Sequence, residues 1–528
     1  MSRLKFFLKT SALVFIFLAG AKALNFFKKI LIGKLFGVSS VADAFFAASY
    51  LPYYLCVFFD SIFFLVFLPM FHEIISKKGN ESARNSLQAI LIFVLGSSLL
   101  ATVFFWGSSG WMMRQLVPGF KTGQLAMTAD LFRIFSLAIV FMALRAVFQA
   151  LNSFYNHYTA AASTGFVDSL TMLAITLAAW KTGGIYAAAW ACVAGAVVSF
   201  LVQVLSLSRH PDIFPARLSF SLGPPARLFV LLLPMAVVWS LQQVPILILN
   251  RFGSAMWEGT ISAVNISQTL STVPMALLSQ TVLFAVFPSM IKRTGEPGAD
   301  VRETFLSTLR GAFLILIPLG FLISALASPI AAFFFEGGGI SAEGTRRIAN
   351  SLACFGWASF ALYADLFMSQ SLIGIRKPLP AIFLYTTRAG LTCALGYFFS
   401  MGWDYQGLAL SFSMALVINL FVFFPIFFKA SPLGGKWEEF FAHSFKLFLA
   451  ASPIFLLAVL VNHWPVHDWM KFSKPWIAAM SVLGSLVFLS LYLYLASRLG
   501  LEEISLIREN AKGFFKRKPA PAPQPEGV

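Results

Sequence analysis

The stretch SALVFIFLAGAKALNFFKKILIGKLFG (residues 11–37) decides the fold, because it is long and apolar enough to cross a bilayer and yet carries lysines in its interior. A hydrocarbon core about 30 Å thick requires about 20 such residues in a helix. The stretch lacks a small-residue cleavage site and further apolar runs follow it, so it is predicted to be the first membrane helix and not a removed signal peptide.

The composition of the whole chain agrees with this prediction. Of its 528 residues, 58% are hydrophobic and only 12% are charged, against about 25% charged residues in soluble proteins. The formal net charge of +17 would suggest a nucleic-acid partner in a soluble protein. In a membrane protein, cations instead report which side of the bilayer each loop occupies, so we expect no nucleic-acid partner.

Apolar runs separated by glycine, proline or charged residues predict an all-α polytopic membrane protein with about fourteen transmembrane helices. The predicted spans are residues 10–35, 40–72, 84–108, 128–154, 158–181, 184–207, 226–250, 256–291, 304–334, 344–373, 378–400, 405–429, 439–463 and 474–498.

The distribution of cations between loops predicts the orientation. Threading the spans with the N-terminus inside places most loop cations on the cytoplasmic side, among them Arg3, Lys5, Lys9, Lys77, Lys78 and Arg84. Cytoplasmic loops of membrane proteins are enriched in lysine and arginine. We therefore expect both termini to be cytoplasmic.

An internal repeat predicts two lobes of six helices each. LPYYLCVFFDSIFFLVFLPMFHEI (51–74) and VPMALLSQTVLFAVFPSMIKR (273–293) share an opening proline and an apolar run that closes on F-x-P or F-P. Many transporters build their central site between two such repeats. The predicted units are an N-terminal lobe (1–207), a C-terminal lobe (226–429), two extra helices (439–498) and a basic, proline-rich cytoplasmic tail (499–528).

The first span places Lys22, Asn25, Lys28 and Lys29 inside the membrane. Lys22 lies about 20 Å along the helix from Lys9, which is too far for easy snorkelling. A charge at that depth costs at least about 2.5 kcal/mol unless it faces a wet cavity or a counter-ion. On an ideal helix Asn25 and Lys29 share the face of Lys22, whereas Lys28 points away. For Lys28 and Lys29, snorkelling to the outer interface is the alternative.

Acidic and polar residues in other spans are candidate partners for these lysines. Asp43 either caps the second helix or faces the cavity as a counter-ion. Asp60 lies deeper and requires a partner or a proton. Arg145 belongs to a polar stripe on the fourth span, and the intramembrane arginine Arg388 lies in the eleventh. Single asparagine and glutamine side chains in spans are more often interhelical glue than ligands.

Motifs for enzymatic chemistry are scarce, so we expect a transporter and not an enzyme. The four cysteines form no CxxC pair, no histidines have ligand spacing, and no phosphate-binding loop is found. We therefore expect no metal, no cofactor and no nucleotide. Uphill transport would then require an ion gradient, the membrane potential or a downstream sink.

Several segments resemble the MurJ (MviN) family of lipid II flippases, within the multidrug/oligosaccharidyl-lipid/polysaccharide exporter superfamily. They occur in family order across the first ten spans: ADAFFAASYLP (42–52), LVPGF (116–120), LFRIFSLAIVFMALRAVFQALNSF (131–154), LLLPMAV (231–237), VPMALLSQTVLFAVFPSM (273–290) and FFFEGGGISAEGTRRIANSLACFGW (333–357). The resemblance implies an alternating-access flippase in the bacterial inner membrane. Its cationic cavity would hold the diphosphate and the sugar-peptide head of lipid II, or of a related undecaprenyl-diphosphate glycolipid, while the tail stays in the bilayer.

The resemblance also assigns residues. Counting back from the shared D-A-F-F motif places two family arginines at Lys22 and Lys28 and the shared acid at Asp43. Two further family arginines fall on Cys56 and Thr269, so half of the cationic set is missing. Replacement charge is expected from Lys29, Arg145 or Arg388, unless the substrate differs.

Three alternatives to a lipid II flippase remain from the sequence. The first is an exporter of another polyprenyl-diphosphate oligosaccharide, such as an O-antigen or exopolysaccharide precursor. The second is a cation-coupled drug exporter, which requires intramembrane acids to dominate its cavity. The third is a membrane scaffold that transports nothing, for which a buried Lys22 has no evident purpose.

Overall fold

The computed structural model describes residues 2–63, 67–208, 223–285, 301–375, 377–430, 437–462, 469 and 471–501. Its helices are α1 (Ser2–Phe36), α2 (Ser40–Ile62), α3 (Leu68–Leu116), α4 (Thr122–Phe154), α5 (Tyr158–Leu207), α6 (Gly223–Ser254), α7 (Thr260–Ala285), α8 (Val301–Ala325), α9 (Ala327–Phe335), α10 (Ala342–Gly356), α11 (Ser359–Gly374), α12 (Pro378–Ala430), α13 (Trp437–Asn462) and α14 (Lys474–Arg498). The predicted all-α class is confirmed in these residues.

Helix α5 doubles back on itself, as its hydrogen bonds show. Gln203 donates to the Ala160 carbonyl at 2.7 Å and to Thr164 Oγ1 at 3.0 Å. In a straight helix, 43 residues would separate two such groups by about 65 Å. The reversal lies at Gly184, whose φ of 54° is in the left-handed region that glycine adopts readily. Two predicted spans, 158–181 and 184–207, are therefore the two arms of one helical hairpin.

Helix α12 reverses in the same way. Thr387 and Asn419 lie 2.5 Å apart through their side-chain oxygens although 32 residues separate them. The break lies at Trp403 and Asp404, and Asp404 has a φ of 48°. The predicted spans 378–400 and 405–429 are the two arms.

The helices supply a counterpart for each predicted span. In the described residues, seven helices are long and apolar enough to cross a membrane, and the pair α10 and α11, bent by 54°, adds an eighth. The second arms of α5 and α12 add two more. Fourteen candidate spans are reached when four further helices are included, namely α1, α6, α7 and α13. The end of the internal repeat (286–293) and nearly all of the predicted tail (502–528) lie outside the described residues.

Packing gathers α1–α5 into one bundle, here called the N bundle, and α6–α12 into a second, the C bundle. Three phenylalanines stack at the centre of the C bundle, with ring centroids of Phe305 lying 5.0 Å from Phe367 and 5.1 Å from Phe427. The outward surfaces are apolar: Leu100 is 72% exposed and Val103 is 68% exposed on α3. Such surfaces are stable facing acyl chains. The assignment of equal six-helix lobes stays a prediction.

The two bundles meet at the end of the molecule where α2 and α7 begin, here called the closed end. Asp43 of α2 accepts hydrogen bonds from the Gly259 and Ser262 backbone amides, each at 2.7 Å. These amides belong to the first turn of α7, where the helix dipole favours a negative charge. A buried carboxylate of one bundle therefore caps a helix of the other.

Further contacts surround this cap. Lys121 and Glu258 form an exposed ion pair at 2.8 Å, and the Glu258 carboxylate raises the pKa of Lys121. The Gly119 amide donates to Ser254 Oγ at 3.2 Å, and Arg251 donates to the Gln115 carbonyl. Together these bonds join the loop between α3 and α4 to the loop between α6 and α7, so the molecule is shut at this end.

A seam between α2 and α6 continues away from the closed end. Tyr50 donates to Gln243 Oε1 at 2.5 Å, and Tyr54 donates to Ser240 Oγ at 3.2 Å. One turn further, the rings of Phe58 and Trp239 meet edge to face at 6.3 Å. The seam separates the interior of the N bundle from the C bundle.

Candidate functional site: a charged cavity in the N bundle

A cavity of about 240 Å³ lies inside the N bundle, and all of its lining residues belong to α1, α2, α4 and α5. Its charged lining residues are Lys22, Asp60, Arg145 and Asp168, two of each sign. The volume falls below the roughly 300–1,000 Å³ of most small-molecule sites. The cavity can therefore hold a compact polar group, while any larger substituent must extend out of it.

Lys22 faces this cavity, as the cost of burying it in lipid led us to expect. Small residues bring α1 close to α5 beside it: a Cβ at Gly165 would lie 3.3 Å from the Ala21 Cβ, and one at Gly20 would lie 2.9 Å from the Phe166 ring. In the described part of the chain, the Lys22 ammonium has no acidic partner within 4.0 Å and no hydrogen-bond acceptor within 3.5 Å. Its donors are free for a ligand that enters the cavity.

Lys28 points into the same bundle and is only 8% exposed. Its ammonium lies 3.4 Å from Asp168 Oδ2 on α5 and 5.5 Å from the centre of the Tyr53 ring. The ideal-helix expectation placed Lys28 away from Lys22, but the long lysine stem brings its ammonium to Asp168, which lines the cavity. Snorkelling to the interface is excluded for Lys28 by its burial and its ion pair.

Arg145 and Asp60 form the second ion pair of the cavity, with 2.6 Å between Arg145 Nη2 and Asp60 Oδ2. Within the described ranges, Asp60 Oδ1, Arg145 Nε and Gln149 Oε1 are buried without a hydrogen-bond partner. Unsatisfied polar atoms of this kind are uncommon in native structures and require an explanation. All three atoms belong to residues of α2 and α4 that line the cavity.

Lys29 and Asn25 behave differently from Lys22. The Lys29 ammonium leaves the N bundle and donates to Thr269 Oγ1 of α7 at 2.5 Å. The resemblance places a family arginine at position 269, so α1 supplies a cation where α7 lacks one. Asn25 is partly buried, does not line the cavity and makes no side-chain hydrogen bond among the described residues.

Arg388 lies in the C bundle, outside the lining of the cavity. It is 3% exposed and donates to Asp365 Oδ2 at 2.5 Å and to the Gln242 carbonyl at 2.6 Å. Its guanidinium also stacks 4.8 Å above the Tyr385 ring. Because Asp365 already neutralises it, Arg388 does not add free charge to the cavity.

Asp43 caps a helix, but the helix is α7 and not α2, which the sequence analysis offered. The N-cap of α2 is Ser39, whose Oγ accepts from the Ala42 amide at 3.4 Å. Asp43 is 1% exposed and caps α7 instead. No contact joins it to the lysines of α1 in the described structure. Its place is the closed end and not the cavity.

Asp168 is the main residue that the sequence reasoning did not select. It pairs with Lys28 and lines the cavity. Its position depends on Gly195 in the second arm of α5, where a Cβ would lie 2.8 Å from Asp168 Oδ1. A glycine 27 residues downstream becomes informative only when the reversal at Gly184 is known.

The fold and the cavity together define a polytopic membrane transporter with two helix bundles, closed at one end. The family model for lipid II flippase MurJ matches residues 32–480, so the chain belongs to the MurJ family.

Individual relatives agree. A probable lipid II flippase MurJ of Rhizobium tropici is 22% identical over 531 residues, covering 96% of this chain and 97% of the relative. A solved structure of lipid II flippase MurJ in an inward closed conformation has a TM-score of 0.75 at 18% identity, covering 93% of this chain and 98% of that one. An inward-facing multidrug resistance MATE transporter has a TM-score of 0.67 at 15% identity, covering 77% and 93%.

Proposed function

We propose that this chain is a flippase that carries lipid II from the cytoplasmic to the periplasmic leaflet of the bacterial inner membrane by alternating access. The observation that carries the proposal is Lys22, which faces a cavity inside a membrane bundle and has no ion-pair partner in the described part of the chain. Membership of the MurJ family supports the choice of lipid II as cargo.

The charges around the cavity suit an anionic head group. The side chains in and beside the cavity give three cations, Lys22, Lys28 and Arg145, and two acids, Asp60 and Asp168, which leaves one positive charge in excess. A diphosphate would accept hydrogen bonds from Lys22 and from the arginine, which binds phosphate bidentately. The sugar-peptide part would extend from the cavity, and the polyprenyl tail would stay in lipid.

The proposed orientation follows from the loop cations. With both termini in the cytoplasm, the closed end lies on the periplasmic side, and the cavity is reached from the cytoplasm. This is the state in which a flippase collects its cargo.

Fusion of a periplasm-active reporter after Ser254 and after residue 528 tests the proposed orientation. We expect reporter activity only from the fusion after Ser254.

A drug exporter of the MATE type is less consistent with the cavity. Such a transporter requires acids that are free to bind a cationic drug, whereas Asp60 and Asp168 each form an ion pair with a cation. Export of another polyprenyl-diphosphate oligosaccharide is the closer alternative, because the same cations would bind its diphosphate. Coupling to an ion gradient or to the membrane potential stays a prediction.

Substitution of Lys22 tests the proposal directly. Lys22→Ala is expected to weaken lipid II binding by about 10- to 100-fold, because a hydrogen bond to a charged group contributes about 1.5–3 kcal/mol. Lys22→Arg keeps the charge and is expected to retain transport. The measurements are binding to the purified protein and complementation of a flippase-depleted strain.

Lys121→Ala is the matched control, since Lys121 is an exposed lysine distant from the cavity lining. It should bind and complement like the wild type. Normal lipid II binding by Lys22→Ala would contradict the proposed role of this residue. Depletion of the protein should cause lipid II to accumulate on the cytoplasmic leaflet, and accumulation of a different lipid-linked saccharide would favour the alternative cargo.

A further inference from the structure

The two ion pairs of the cavity differ in how easily each can open. In the Lys28–Asp168 pair the side chains are 9% and 6% exposed. In the Arg145–Asp60 pair, Arg145 is 6% exposed but Asp60 is 34% exposed. The Asp60 side chain keeps a third of its surface accessible, which gives its carboxylate room to rotate away from Arg145, whereas the Asp168 side chain is almost fully enclosed. Asp60 is therefore the acid that can leave its partner.

Arg145 is also incompletely satisfied by Asp60. The pair uses Arg145 Nη2 and Asp60 Oδ2, while Arg145 Nε and Asp60 Oδ1 have no hydrogen-bond partner among the residues that the structure describes. Guanidinium groups bind carboxylate or phosphate through two parallel hydrogen bonds when the geometry permits. The observed contact is a single bond, so Asp60 uses only part of the hydrogen-bonding capacity of Arg145.

An empty carrier has a further requirement. A buried arginine without a counter-ion is costly, so a cavity that releases an anionic substrate must neutralise the arginine in another way. Asp60 provides that charge within the same cavity. The Arg145 guanidinium would then bind Asp60 in the empty carrier and the substrate in the loaded carrier. It would have an anionic partner in each state.

We propose that Asp60 is an internal counter-ion that the diphosphate of the substrate displaces from Arg145 and that returns to Arg145 when the substrate leaves. This rests on the proposed function, because it assumes that a diphosphate lipid enters the cavity. Asp60 thus competes with the substrate: it weakens binding and promotes release. It is a positioning residue that acts through Arg145 and not a ligand of the substrate.

The test is Asp60→Asn in the full-length protein in lipid nanodiscs and in proteoliposomes. We expect undecaprenyl diphosphate and lipid II each to bind about tenfold more tightly, which corresponds to about 1.4 kcal/mol. Steady-state flipping should fall several-fold while the first turnover is retained. A residue that binds the substrate, or that only stabilises the fold, would give the opposite change in affinity.

Matched variants make the result specific. Asp130→Asn removes the acid of another aspartate–arginine pair, the exposed pair with Arg133 at 2.8 Å, and should bind like the wild type. Asp60→Glu restores the carboxylate and should restore the affinity. In an Arg145→Gln background, Asp60→Asn should no longer tighten binding, because the competition acts on Arg145.

Weaker or unchanged binding by a folded Asp60→Asn variant would overturn the inference, as would tighter binding that persists in the Arg145→Gln background. Failure of the proposed function gives a different pattern. If the wild type binds undecaprenyl diphosphate but neither binds nor flips lipid II, the cargo is wrong. The change in undecaprenyl diphosphate affinity on Asp60→Asn then still decides the role of Asp60.

Discussion

At the scale of single residues, position matters more than charge. Lys22, Lys28 and Lys29 lie within two turns of α1, yet one faces the cavity, one pairs with Asp168 and one reaches Thr269 in the other bundle. Removing the same charge from each would therefore have a different consequence. The glycines that admit these contacts are as much part of the site as the charges.

Gly195→Ala is expected to disturb the cavity by displacing Asp168, one of its lining residues. The new methyl would lie 2.8 Å from both Asp168 Oδ1 and the Asp168 carbonyl. Overpacking of this kind costs about 1–3 kcal/mol, and it would displace Asp168 from Lys28. We expect a lower thermal midpoint and weaker diphosphate binding.

Gly96→Ala on α3 is the control for this substitution, because nothing lies within 4 Å of its added methyl. Replacing a helical glycine by alanine at an open position is neutral or slightly stabilising. Equal midpoints for the wild type and Gly195→Ala would show that α5 relaxes around the added methyl and that Gly195 does not position Asp168.

At the scale of elements, the sequence predicted the membrane spans well but did not predict which side chains of different spans contact each other. Hydrophobic length identifies α5 and α12, because each contains about twice the residues that one crossing requires. The sequence also predicted that Lys22 faces a cavity, because the cost of placing a charge in lipid left few alternatives. Asp168 was not selected, because its pairing with Lys28 depends on how α1 packs against α5 and on how the two arms of α5 align. That alignment is a tertiary property without a local signal.

The contact between α2 and α7 gives a prediction at this scale. Asp43→Ala removes the cap of α7 and a charge-assisted bond between bundles. Caps contribute about 1 kcal/mol, and bonds to charged groups about 1.5–3 kcal/mol. We expect the population open at this end to rise at least fivefold, measured as a longer distance between spin labels at the exposed positions Arg114 and Trp257.

Ser39→Ala is the control for Asp43→Ala, since Ser39 caps α2 within the N bundle. It should lower the stability of the protein without changing the label distance. An unchanged distance distribution in Asp43→Ala would show that the other contacts of the closed end suffice to hold it shut.

At the scale of the whole molecule, the structure is one state of a cycle. The bundles are joined at the closed end and along the α2–α6 seam, and the charged cavity lies in the N bundle beside that seam. Release of a substrate on the closed side requires these bonds to break together. Bonds distributed over loops and helices make such a change cooperative.

Locking the closed end is expected to stop transport. Lys121 and Glu258 are 82% and 56% exposed and contact each other, so cysteines at both positions can be joined by a short bifunctional thiol reagent. Treatment of the double variant should abolish flipping, and a cleavable reagent should restore it after reduction. Either single variant, treated alike, should remain active. Transport by the crosslinked protein would exclude opening at this end.

The bond between Asp43 and α7 has a consequence for how the family can diverge. Its donors are peptide amides, which every residue except proline possesses, so most side-chain replacements at position 262 leave the bond available. The constraint falls on Gly259, whose φ of 92° and close approach to Val38 exclude larger residues. The bond is thus tolerant of mutation at position 262 and sensitive to mutation at Gly259, so the side chains of α7 can change while the attachment of α7 to α2 is kept.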